Sequence, residues 1–72
     1  MGCGAMPILV ISTRQGMTHE AEVRDYREAN HEINRFRREY LLNHPSDLIV
    51  DISVVVGGNV IARYRNGGIE EF

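Results

Sequence analysis

The run THEAEVRDYREANHEINRFRREYLLN, residues 18–43, decides how the rest of the chain is read. Within it Val23, Tyr26, Ala29, Ile33, Phe36 and Tyr40 recur at three- and four-residue intervals, which makes one apolar stripe on a helix. Most positions between them are charged or amide. Glu20–Arg24 and Arg24–Glu28 stand at the four-residue spacing that pairs opposite charges along a helix surface. Thr18 suits an N-cap, with Glu20 and Glu22 in the first turns. Asn43-His44-Pro45 ends the run, because the residue before proline is pushed out of the α region. The spacing predicts one amphipathic helix of about 25 residues, roughly 38 Å long.

Strands are expected on both sides of it. Pro7-Ile8-Leu9-Val10-Ile11-Ser12-Thr13 is rich in branched residues, and its consecutive apolar positions ask for burial on both faces. Arg14-Gln15-Gly16 breaks that pattern and suggests a turn. Leu48 to Val56 is the strongest strand in the chain, with Leu48, Val50, Ile52, Val54 and Val56 sharing one face. Gly57-Gly58 is a hairpin signal. The return strand Val60 to Arg65 sets Val60, Ala62 and Tyr64 against Ile61, Arg63 and Arg65. Asn66-Gly67-Gly68 turns again, leaving Ile69 to Phe72 as a short tail. The expected fold is therefore α+β, in the order β-α-β-β, with one long helix packed on a small three-stranded sheet. The first strand would pair in parallel with the second through a right-handed crossover, or antiparallel with the last. Residues 6–72 read as a single domain, with Met1–Ala5 an appended or disordered N-terminus and the native chain starting at Met6.

Composition removes several classes. Seventy-two residues leave a marginal core and no room for a large cofactor-binding architecture. No apolar run approaches the ~18 residues of a membrane span, and nothing resembles a secretory signal, so a cytoplasmic location is the default. All eight basic residues are arginine, a set that GC-rich coding explains more simply than selection for a bidentate anion donor. A net charge of −2 argues against general binding of duplex nucleic acid, which needs a basic face. His19, His31, His44 and the lone Cys3 match no metal-ligand spacing, and no pattern asks for a cofactor.

One helix covers one face of a sheet. The other face would carry Ile49, Val55 and Ile61 with part of Ile8–Ile11, and an apolar patch of that kind is unusual on a monomer. We therefore expect a homo-oligomer, most simply a two-fold dimer, with Ile49, Asp51, Ser53, Val55 and Ile61 at the interface and Arg63 and Arg65 around it. Ser12-Thr13-Arg14-Gln15-Gly16, between a strand end and an expected helix N-terminus, is the best candidate for an anion site, with Arg63 and Arg65 as further donors. Catalysis has only Ser12 or Thr13 with His19 as a local pair. Arg35-Phe36-Arg37-Arg38 reads as a charge-laced helix face. The expected function is a non-enzymatic oligomeric binding module, a protein-interaction or regulatory accessory protein of bacterial or phage type. The alternative is a binder of a phosphorylated or nucleotide-like anion between subunits. A small enzyme with an interfacial active site ranks last.

Overall fold

The computed structural model describes residues 6–65 and 68–72. It is a mixed α+β protein with one α-helix and one five-stranded antiparallel sheet, ordered β2-β1-β3-β4-β5. In chain order β1 is Ile8–Thr13, β2 Thr18–Glu22, α1 Tyr26–Glu39, β3 Ile49–Val56, β4 Asn59–Arg65 and β5 Gly68–Glu71. A 3-10 turn, Leu41–Asn43, follows α1. The expected order β-α-β-β thus gains a strand before the helix and another at the end. Asn66 and Gly67 of the predicted last turn, and Met1–Ala5, lie outside the described residues.

The largest correction concerns residues 18–22, which form a strand and not the first turns of the helix. Thr18, Glu20 and Glu22 are exposed while His19 and Ala21 are half-buried, a two-residue alternation. β1 is apolar on both faces and needs partners on both edges; β2 supplies one of them. The turn between them is closed by Thr13 N–H donating to the Met17 carbonyl at 2.9 Å, with Gly16 at φ +95°. The helix starts instead at Asp25, whose side chain accepts from Glu28 N–H at 2.8 Å while Glu28 accepts from Arg24 N–H at 2.8 Å. This reciprocal arrangement satisfies two donors that an uncapped helix end would waste. Helical structure continues through the 3-10 turn to Asn43, where the sequence placed its end.

The extra strand also decides the pairing. β2 returns the chain to the end of the sheet where β1 began, so α1 runs back and β3 enters antiparallel to β1. Neither pairing expected from the sequence occurs. Gly57 and Gly58, at φ +58° and +84°, make the two-residue turn into β4, since a turn matched to strand twist needs positive φ at both central positions. The residues of the expected tail form β5 instead, with Glu70 opposite Arg63 and Ile69 opposite Tyr64.

The core lies between α1 and one sheet face. Ala29, Ile33 and Phe36 of the helix meet Leu9, Ile11, Ile52, Val54 and Ala62, with Val23 closing one end. Two irregularities of register rearrange the expected faces. Ser12 opposes Asp51 but Thr13 opposes Ile49, so Val50 is the extra residue and is 58% exposed. Val54 opposes Ala62 but Val55 opposes Val60, so Ile61 is extra. Ile49 and Ile61 consequently pack against the core cluster, and the open-face position expected for them is corrected.

Candidate functional site

Two surfaces of the described residues bring chemistry together without a covering element, and the first is the open sheet face. Register places Ile8, Val10, Val55 and Val60 at its centre. Glu20 and Glu22 on β2 flank them on one side, and Arg63 on β4 flanks them on the other. One rung reads Glu20, Val10, Ser53, Arg63 and Glu70 across all five strands. Ser53 is buried there between Val10 and Arg63, although no element of the described residues covers the face. Arg63 Nε lies 3.9 Å from Asp51 Oδ1, too far for a hydrogen bond. That nitrogen is buried and has no hydrogen-bond partner among the described residues. Arg65 pairs with Glu70 at 3.4 Å. Of the residues expected around a subunit interface, Asp51, Ser53, Val55, Arg63 and Arg65 share this face.

The second surface is a groove of ≈ 550 Å³ between α1 and β3–β4. Ile33, Ile49 and Ile52 give it an apolar base. Asn30, Asn34 and Arg37 line the helix side, one turn apart, and Asp51 and Tyr64 line the sheet side. The Tyr64 hydroxyl is buried without a hydrogen-bond partner among the described residues, and burial raises its pKa. The opposite helix edge differs, because there Arg35 binds both Glu32 at 3.4 Å and Glu39 at 3.2 Å. Arg24 likewise pairs with Glu28 at 3.4 Å. The expected charge-laced face therefore exists, but Arg37 is not part of its pairing.

The turn expected to hold an anion is placed differently. Ser12 belongs to the open face, while Thr13 points to the helix side. Arg14, Gln15 and Gly16 form an exposed hairpin turn. No helix N-terminus stands at this turn, so the dipole that favoured an anion is absent from it. Asp47 claims the turn instead. Its carboxylate is 7% exposed and accepts from Gln15 N–H at 3.0 Å, Leu48 N–H at 2.9 Å and the Tyr40 hydroxyl at 2.6 Å. Burial alone would raise its pKa; the hydrogen bonds from Tyr40, Thr13, Gln15 and Leu48 prevail and hold it at about 2. The same contact raises the pKa of Tyr40. Gln15 Nε2 also donates to Ser46 Oγ at 3.1 Å. Asp47 is a fastening between the β1–β2 turn, the end of the helix and the start of β3, fully engaged and poorly placed for proton transfer.

The sheet separates His19 from Ser12, while Thr13 shares the side of His19. His19 lies on the helix side against Phe36 (centroids 5.4 Å apart) and 3.5 Å from Glu32, whereas Ser12 lies on the open face. Thr13 Oγ1 accepts from Met17 N–H. Phe36, Tyr40 and His44 continue the ring stack along the helix, and His44 Nδ1 meets the Tyr40 carbonyl at 2.9 Å. Among the described residues no group of three or more potential ligands surrounds a metal position, and no helix is long and apolar enough to cross a membrane.

The sequence reading passed over the groove. Asn30, Asn34 and Arg37 fall at four- and three-residue spacing on the flank of the apolar stripe, which was legible as an amide-lined helix edge. Comparison with family models, with curated proteins and with solved structures finds no match to this chain.

Proposed function

We propose that this protein is a homodimeric binding module whose open sheet face is its self-association surface. The supporting observation is the composition of that face: an apolar centre on β1 and β3, flanked by acidic residues on β2 and by a guanidinium with an unpartnered nitrogen on β4. A two-fold axis parallel to the strands, between β1 and β3, lays β2 of one copy over β4 of the other. Ile8 then meets the partner's Val55, and Glu20 meets the partner's Arg63. The carboxylate then faces the exposed part of the Arg63 guanidinium, whose side chain is 40% exposed in the single chain. Within one chain Glu20 and Arg63 are three strands apart, about 14 Å at the usual strand spacing and beyond a Debye length at physiological salt. Their attraction is therefore available to a second copy.

Sedimentation equilibrium tests this reading. The expected result is a species of twice the 8.2 kDa chain mass at tens of micromolar, converted to monomer by Val10→Glu. A wild-type chain that stays monomeric rejects it. The binder of a phosphorylated or nucleotide-like anion draws on one specific observation, the part-exposed Arg63 guanidinium, whose ion-pair contact among the described residues is the long one to Asp51 at 3.9 Å. Thermal stabilisation by ATP or inorganic phosphate, lost in Arg63→Ala, would favour that second reading.

A further inference from the structure

We infer that the groove between α1 and β3–β4 is a docking site for an extended peptide segment carrying an acidic side chain. The inference deepens the binding-module reading by assigning a partner surface on the helix side of the sheet, which shares only Asp51 with the self-association face. Its first support is geometric. Asn30 and Asn34 both line the groove and are one helical turn apart, so their carboxamides are offset by about 6 Å along the axis. An extended chain repeats every two residues at about 6.6–6.8 Å. Each carboxamide offers a donor and an acceptor, as each peptide unit does. Two of them at this offset match alternate peptide units of a strand-like segment, and rotamer freedom absorbs the remaining difference.

The second support is the state of these groups. Among the described residues, neither Asn30 nor Asn34 makes a side-chain hydrogen bond, and Arg37 makes neither a hydrogen bond nor an ion pair. Arg24 and Arg35, on the same helix, are both engaged. Arg37 stands one turn beyond Asn34 on the groove side, where it complements a carboxylate on the docked segment, while the Asp51 carboxylate across the groove has its own cation, Arg63, at 3.9 Å. Ile33, Ile49 and Ile52 below receive the alternate side chain that an extended segment turns inward. A bare nucleotide uses Arg37 but leaves the carboxamide pair without its repeat.

The test is selection of a short random-peptide display library on the full chain, followed by fluorescence anisotropy with the selected peptides. Selected peptides should share an acidic residue at a fixed offset from alternating apolar positions. Affinity should fall by about tenfold or more in Asn30→Ala/Asn34→Ala and in Arg37→Ala, and remain unchanged in Val10→Glu. All three substituted positions are exposed on the helix, where alanine favours helix formation, so lost binding is not lost folding. Failure to select any peptide, peptides indifferent to these substitutions, or binding of ATP or phosphate alone overturns the inference. A wild-type chain that stays monomeric yet binds the selected peptides rejects the dimer reading and leaves the groove, whereas a dimer from which no peptide is selected rejects the groove alone.

Discussion

The two faces of the sheet carry similar amounts of branched apolar side chain but solve different problems. On the covered face Leu9, Ile11, Val54 and Ala62 are almost wholly shielded, and Glu71, the acidic residue opposite Ala62, is already bound by the Tyr26 hydroxyl of the helix at 2.8 Å. On the open face Ile8, Val10 and Val55 remain only partly shielded, within a frame of Glu20, Glu22, Asp51 and Arg63. A face meant only for water needs no apolar centre, and a face meant only for a core tolerates no charged frame. The open face has the anatomy of an interface, an apolar patch with a polar rim.

Substitutions on the two faces should therefore separate. Leu9→Ala, at a fully buried position, should lower unfolding free energy by about 3 kcal/mol in urea. Val10→Ala, its neighbour on the other face, should cost under about 1 kcal/mol at concentrations where the chain is monomeric. Equal losses at the two positions would erase the distinction between the faces.

Acid should act next, through the fastening at Asp47. Its folded pKa of about 2 lies below the ordinary carboxylate value of 3.8, so the folded state favours the ionised form. The resulting stability is complete above about pH 4 and is lost as pH falls through 2. Thermal unfolding followed from pH 5 to pH 2 should show a falling midpoint. Asp47→Asn should start lower at neutral pH and flatten that acid limb; an unchanged slope would show that Asp47 does not control it.

A smaller effect is expected at the β3–β4 turn. Gly58→Ala places a side chain at φ +84° and should cost about 1 kcal/mol without altering self-association. A change in oligomeric state there would mean that the turn, and not the face, controls association.

Much of this organisation was legible in the sequence. The stripe from Tyr26 to Tyr40, the stop at His44-Pro45 and the Gly57-Gly58 hairpin rest on local spacing and turn chemistry, and all three recur in the structure. The helix start was misplaced because Val23 extends the helical period backward while Glu20 and Glu22 suit a first turn as well as an exposed strand face. Asp25 with Glu28 three residues on carried the better capping signal. The faces of β3 and β4 were harder to read. A strict two-residue alternation put Val50 inside and Ile61 outside, and the irregularities that reverse both depend on pairing with distant strands. The anion site inherited the error in the helix start, since its dipole belonged to a helix end that lies elsewhere.

The face-to-face dimer is most directly tested by sedimentation equilibrium on two charge reversals, Arg63→Glu and Glu20→Arg, separately and mixed. Each alone opposes like charges twice across the two-fold axis and should be monomeric at tens of micromolar, where the wild type should be a dimer. Mixed in equal amounts, one copy of each restores both opposite-charge pairs, and the dimer should return. A mixture that remains monomeric, with both variants folded and the wild type dimeric, would contradict the pairing of β2 over β4.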